Sequence, residues 1–240
     1  MADLYLRVFQ NLPEFLKRRI HPVDYGIRDF VCSVGLGPER RVIVDAGAGE
    51  VRFSEYFSGH VFVAMDSRVG DSKWDYSKID VCADLCRIPV ASGKVDLVIS
   101  TQVLEHVPNP GQVLLEIARI LRPGGRLLLT APQGWHEHQQ PHDYFRFTRY
   151  ALRNLIEEAG FREVEIQPLG GYFHYLGHRL TYIPKILFAS RAGLSRILLF
   201  PIEILSLGLF CFLFPILCYY LDSLDRKKEF TLVYRVEAVK

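Results

Sequence analysis

The sequence predicts an α/β fold: a seven-stranded, mostly parallel sheet covered by helices on both faces, with an apolar helical insertion before its last strand. Three observations predict it. Between Arg41 and Gln167, short apolar runs alternate with amphipathic segments, the order that builds a parallel sheet buried on both sides. The first run ends in a glycine turn, Asp45-Ala-Gly-Ala-Gly49. The stretch Ile204 to Leu221 carries no charge, yet Phe230 to Ala238 reads again as a strand. There Leu232, Tyr234, Val236 and Ala238 fall on one face, and Thr231, Val233, Arg235 and Glu237 on the other.

The chain has 240 residues, room for one large α/β domain. Twenty-nine basic against 27 acidic side chains leave a net charge of +2, without the basic excess of a nucleic-acid binder. The five cysteines, Cys32, Cys82, Cys86, Cys211 and Cys218, are odd in number and match no zinc spacing, which fits a reduced cytoplasmic setting. Met1-Ala-Asp-Leu-Tyr-Leu-Arg7 does not read as a secretory signal.

In chain order, Leu4, Val8, Leu12, Phe15, Leu16 and Ile20 recur at helical spacing and predict two short amphipathic helices, with Pro13 at the first position of the second. A helix is expected from Tyr25 to Val34, stopping near Gly35 and Gly37. Strands follow at 41–45, 60–66, 79–83, 95–100, 126–130 and 161–167. Between them come helices at 50–57, 113–121 and 150–159, the last capped by Thr148 and closed by Gly160. The boundaries expected are 1–23 for the N-terminal helices, 24–171 for the main body, 172–228 for the apolar insertion and 229–240 for the returning strand.

Ligands of such sheets bind at the carboxyl ends of the strands. Gly47 and Gly49 let the backbone pass close to one, and acidic residues follow the second and third strands at Asp66 and Asp84. A dinucleotide fingerprint would place a third glycine where Arg52 stands. After the fourth strand comes Thr101-Gln-Val-Leu-Glu-His-Val107, then Arg119-Ile-Leu-Arg-Pro-Gly-Gly125 and, after the fifth, Ala131-Pro132. In this order the motifs resemble the class I S-adenosylmethionine-dependent methyltransferases, in particular the type 11 group, over residues 24–168. The resemblance implies a Rossmann-like sheet whose last strand is antiparallel and inserts beside strand five. It implies S-adenosylmethionine as cofactor: Asp45, Gly47 and Gly49 at its methionine end, Asp66 on the ribose and Asp84 on the adenine, with Leu85 and Thr101 lining the same site. Val51 departs from the pattern where glycine is frequent.

The loop Trp135-His-Glu-His-Gln-Gln-Pro-His-Asp-Tyr-Phe-Arg-Phe-Thr148 follows strand five, at the edge where the acceptor would bind. His136, His138, His142, Glu137 and Asp143 invite a metal reading, but the resemblance implies no metal and none is assigned. A hydroxyl acceptor needs a base, and histidine is suited to it. His142 steadied by Asp143 is the first candidate, His136 and His138 the second, His106 the third. Glu105 and His106 either stand at the mouth of the cofactor site or cap a turn. Trp135, His136, His138, Tyr144 and Arg146 are the expected acceptor contacts, although Asp143 and Arg146 could equally pair while Phe145 and Phe147 pack.

Ile197 to Leu221 is long enough for one membrane span, but Pro201 and Pro215 are expected to break it. A strand on each side of it must reach one sheet, which disfavours a single crossing. Arg179, Lys185, Arg191 and Arg196 precede it and Arg226-Lys-Lys228 follows, flanks suited to anionic headgroups. The expectation is a re-entrant or interfacial hairpin at the cytoplasmic face of a membrane; the alternative is a lid over the acceptor pocket. Either implies a small-molecule or lipid-linked acceptor of apolar character, most simply O-methylated. Two other functions remain: an inactive, cofactor-binding partner subunit at a membrane, and nicotinamide-linked oxidoreduction.

Overall fold

The computed structural model describes residues 2–71, 73–189 and 194–240. Two compact units are present: Ile27–Pro168 with Val233–Lys240, and Met1–Gly26 with Leu169–Leu232. The N-terminal helices thus group with the insertion instead of standing alone.

The first unit holds β1 (Val42–Ala46), β2 (Val61–Asp66), β3 (Val81–Cys82), β4 (Val95–Thr101), β5 (Leu121–Pro132), β6 (Arg162–Pro168) and β7 (Val233–Val239), ordered β3-β2-β1-β4-β5-β7-β6. The neighbours from β3 to β5 are parallel. β7 runs antiparallel to both β5 and β6. Side chains alternate across the sheet. Val44, Ala46, Met65, Val98, Leu127, Leu129 and Val236 join one core with helices α4 (Pro110–Ile120) and α5 (Arg149–Glu158). Ile43, Leu97, Ile99 and Leu128 join the other with Phe30 and Val31 of α3 (Pro22–Cys32). α4 starts at Asn109, whose side chain accepts from the Gln112 N–H at 3.2 Å, with Pro110 in the first turn. α5 starts at Thr148, which accepts from the Ala151 N–H at 3.2 Å.

The expected helix at 50–57 does not form. Only a 3-10 turn, Ser54–Phe57, follows the glycine turn. Val51 takes a left-handed φ of 57° and is buried beside Ala64 and Ile79, and a residue in that conformation cannot continue a right-handed helix. Phe53 and Phe57 then pack into the core under β1. β3 is also shorter than expected, two residues at the sheet edge.

The second unit is helical: α1 (Ala2–Gln10), α2 (Glu14–Ile20), α6 (Tyr172–Leu180), α7 (Ile183–Phe188), α8 (Leu194–Gly208) and α9 (Phe214–Leu221). Pro13 is the extended residue before α2, not its first helical one. α6 packs on α9 and α7 on α8, the pairing of an out-and-back helical hairpin. Gly177 permits the closest approach, since a Cβ there would lie 3.0 Å from Cys218 Cβ. Buried Asp222 accepts from the Gly171 and His174 N–H groups at 3.0 Å, capping α6 from the returning leg. Arg19 donates to the Tyr220 hydroxyl at 2.6 Å and lies over that ring.

The prolines do not break the apolar segment. α8 passes through a π-turn, Leu209–Leu213, directly into α9. The Phe214 N–H reaches back to the Leu209 carbonyl, and this wider turn precedes Pro215, whose ring would crowd a regular α-helix. The helix Leu198–Leu224 is 27 residues, long and apolar enough to cross a membrane, and 28% of its most apolar window is buried. Arg191 and the Arg196 side chain lie outside the described residues.

Candidate functional site

The carboxyl ends of β1, β2, β3 and β4 carry Asp45, Asp66, Asp84 and Thr101 along one edge of the sheet. Asp45 is 1% exposed and neither carboxylate oxygen has a hydrogen-bond partner. Burial, helped by the charge of Asp66, raises its pKa to about 7. Asp66 accepts from the Gly49 N–H at 3.0 Å through one oxygen and from the Arg68 N–H at 2.6 Å through the other, so it ties the glycine turn to the second strand. Gly47, at φ 86°, has no room for a Cβ, which would lie 2.3 Å from Val103 Cγ2. Gly49 lies under the Trp74 ring, 3.2 Å from where its Cβ would stand.

Asp84 is exposed and accepts from the Cys86 N–H at 2.8 Å, opening a 3-10 turn. The Leu85 side chain packs in the core at 5% exposure. Thr101 pairs with Thr130 and is half-buried. Among the described residues, Val51, Arg68, Gln102 and Gln139 take left-handed φ values of 57°, 60°, 56° and 51° after β1, β2, β4 and β5. Backbone strain of this kind collects where a ligand is held.

Beside this edge, the 3-10 turn Leu104–His106 presents Glu105 and His106 to the histidine-rich loop. Glu105 is 0% exposed, neither oxygen has a partner, and burial raises its pKa to about 8. His106 Nδ1 stands 2.6 Å from the His142 carbonyl oxygen, and His106 Nε2 stands 3.0 Å from His138 Nε2. Burial holds the His106 pKa below its ordinary value.

The expected pairing of His142 with Asp143 is not formed. The His142 ring meets the Tyr144 hydroxyl at 3.1 Å. Asp143 instead takes two bonds from Arg146, at 2.7 and 2.8 Å, and one from the His138 N–H at 2.8 Å. The Arg146 partnership holds its carboxyl down at about 2. Arg146 also donates to the carbonyls of Trp135, His136 and Phe145 at 3.0, 2.7 and 2.6 Å. These bonds occupy all the donors a guanidinium has, so Arg146 builds the loop and has none left for an acceptor. Phe147 is buried, Phe145 is 36% exposed and Tyr144 45% exposed, and Trp135 stacks on His136 with ring centroids 6.1 Å apart.

Trp74 is a candidate that the sequence does not mark, and Glu105 is read there only as standing at the mouth of the cofactor site or capping a turn. Glu105 adjoins a chosen histidine, but nothing in the sequence marks its carboxylate as buried and unpartnered. Trp74 stands in a polar stretch without periodicity.

Residues 44–129 match the family model described as a methyltransferase domain. A probable S-adenosylmethionine-dependent methyltransferase of Mycolicibacterium smegmatis is 28% identical over 149 residues, 57% of each chain. An uncharacterised methyltransferase of Mycobacterium leprae is 31% identical over 146 residues, 55% of this chain and 54% of its own. The chain thus spans just over half the length of the curated relatives it matches. Among solved structures, an S-adenosylmethionine-dependent methyltransferase from Archaeoglobus fulgidus aligns over 94% of this chain and 99% of its own, with a TM-score of 0.57 at 14% identity. Phosphoethanolamine N-methyltransferase 2 of Haemonchus contortus, solved with S-adenosylhomocysteine, aligns over 90% of this chain and 52% of its own, with a TM-score of 0.53 at 14% identity. The likeness of these structures is one of fold, and it agrees with the sequence match to the core strands. Over residues 44–129 the chain is thus similar to a methyltransferase domain, and its fold is that of the S-adenosylmethionine-dependent methyltransferases it aligns with.

Proposed function

We propose that the protein methylates an oxygen of a hydrophobic or lipid-linked acceptor, and that it does so at the anionic, cytoplasmic face of a membrane. One observation carries the cofactor half of this reading: Asp45, a buried carboxylate without a partner beside a glycine turn. An ammonium group is what such a carboxylate lacks, and the methionine end of S-adenosylmethionine offers one. When bound, that cofactor supplies a methyl group on an electrophilic sulfonium. Asp66 keeps unused lone pairs for ribose hydroxyls. Asp84 and the Leu85 backbone border the adenine end, and Thr101 the floor of the site.

The acceptor half rests on two features. His106 donates from Nδ1 to the His142 carbonyl, which leaves Nε2 as a lone pair on a ring held neutral by burial. That suits proton removal from a hydroxyl, so His106 takes the role first expected of His142, whose backbone positions it. Trp135, His136, His138 and Tyr144 border the acceptor. The apolar helix supports the membrane setting: Leu198, Phe200, Ile202 and Leu205 are 55–69% exposed, an unusual state for side chains that water disfavours. Its length permits a crossing, but β6 before it and β7 after it are neighbours in one sheet, which supports a hairpin laid into one leaflet over a single span.

Transfer of labelled methyl from S-adenosylmethionine into the organic phase of a membrane extract tests the activity. Stabilisation by NAD and not by S-adenosylhomocysteine in a thermal shift would overturn the cofactor reading. Failure to float with vesicles of anionic lipid would overturn the membrane reading.

A further inference from the structure

The pair of histidines at 3.0 Å contains an electrostatic problem. His106 Nδ1 faces the His142 carbonyl at 2.6 Å and His138 Nδ1 faces the His136 carbonyl at 3.0 Å. A carbonyl oxygen only accepts, so each Nδ1 carries its proton. In a neutral imidazole the remaining nitrogen is then a lone pair, and the two Nε2 atoms meet lone pair against lone pair. Glu105 Oε1 stands 3.9 Å from His106 Nε2, on a fully buried carboxylate that accepts no hydrogen bond from any other residue. Three electron-pair donors thus converge within 4.8 Å of one another.

We propose that Glu105, His106 and His138 form a binding site for a divalent first-row transition cation, zinc being the best fit. A single proton shared by the two rings would relieve their contact but give Glu105 no bond; one cation satisfies all three. Two imidazoles with one carboxylate suit zinc, cobalt or iron, whereas magnesium and calcium take oxygen ligands. Donor atoms around a tetrahedral zinc lie about 3.3 Å apart, so the two nitrogens, at 3.0 Å, are already near their places, and the Glu105 oxygen, 3.9 Å from His106 Nε2 and within 4.8 Å of the other donors, has to close in on both. The second shell is also built. Each ligating ring is oriented by a backbone carbonyl, and the Asp143 carboxylate stands behind both, 4.0 Å from His106 Nδ1 and 3.6 Å from His138 Nδ1. Such partners fix the tautomer that exposes Nε2. The His138 side chain is 23% exposed, which leaves an open side where water or an acceptor oxygen could complete the coordination.

The cation site stands on this geometry alone. Its consequence for catalysis rests on the methyltransferase reading: a cation there would hold the acceptor oxygen and lower its pKa, making His106 a ligand in place of a base. The test keeps the two apart. Chelator-stripped protein is titrated with Zn²⁺ by calorimetry and with Co²⁺ by visible absorption, and S-adenosylhomocysteine affinity is measured on the same samples. Expected are one ion per chain at micromolar or tighter affinity, ligand-field bands of nitrogen–oxygen coordination, and at least tenfold weaker binding in both Glu105→Gln and His138→Asn. His138→Asn alters a partly exposed loop residue, so it remains informative should Glu105→Gln fail to fold. No saturable binding by the wild type, or wild-type affinity in His138→Asn, would overturn the site, whatever the S-adenosylhomocysteine affinity shows.

Discussion

Helices α4 and α8–α9 are both rich in apolar side chains, and the chain uses them differently. In α4, Val113, Leu114, Ile117 and Ile120 are all 0% exposed against the sheet, with charged Glu116 and Arg119 on the outer side. In α8–α9 the apolar residues run all round the helix, and Leu198, Leu205, Leu213, Leu217 and Tyr220 remain 47–69% exposed. Apolar composition in α4 stabilises the fold. In α8–α9 it is surplus to the unit's own packing. Composition therefore does not identify a core helix; the width of the apolar stripe does.

Substitution should separate the two. Ile117→Ala is expected to cost about 2–5 kcal/mol in urea denaturation, as a cavity in a close-packed core does. Leu205→Asn should change stability by no more than about 0.5 kcal/mol while reducing vesicle flotation. Equal costs at the two positions would break the comparison and place α8 within a core.

The histidine-rich loop supplies polar ties of intermediate size. Arg146→Ala leaves the Asp143 carboxylate, 4% exposed, without its main partner and should cost about 2 kcal/mol. Arg146→Lys should recover little of it, since an ammonium cannot span two carboxylate oxygens and three carbonyls at once. Full recovery by lysine would show that charge alone matters there.

Much of this was legible in the sequence. The strand runs, the caps at Thr148 and the returning strand all follow from period and turn chemistry, because each depends on neighbours within a few residues. The link between Arg146 and three carbonyls was not legible, nor was the meeting of His106 with His138, because both depend on a loop conformation that no periodicity encodes. The misreading of Pro215 has a similar origin: a π-turn ending two residues earlier, at Leu213, makes room for the ring, and no residue type announces such a turn.

The buried acids give a pH dependence of known sign. Asp45 and Glu105 have pKa values raised to about 7 and about 8, so the folded protein holds protons that the unfolded chain releases above about pH 4–4.5. Their contribution is fully present below that range and is lost as pH rises towards 7–8. The Tm of the ligand-free protein should therefore fall between about pH 4.5 and 8, less so in Asp45→Asn or Glu105→Gln. Asp143, at about 2, acts oppositely and only at lower pH. A Tm that rises through the same window in wild type and variants alike would refute the assignment of buried, partnerless carboxylates.

The smallest effect is expected at Val51. Replacing it with glycine removes left-handed strain of about 1–2 kcal/mol and forfeits the burial of a valine, about 1.5 kcal/mol. The net should lie within about 1 kcal/mol of zero. A large loss would show that packing beside Ala64 and Ile79, and not backbone conformation, selects the residue there.

The place of β7 between β5 and β6 also sets an order of events during synthesis. Both flanking strands leave the ribosome with an empty slot between them, and the residues that fill it come after the whole apolar hairpin. Until then two long strand edges stand open, the state in which a nascent sheet recruits wrong partners. The hairpin is consequently free to meet lipid or a chaperone before the sheet is closed, and closing it is a long-range step with a correspondingly slow search. Loss of residues 233–239 would thus leave not a shortened protein but a sheet with a gap in its middle.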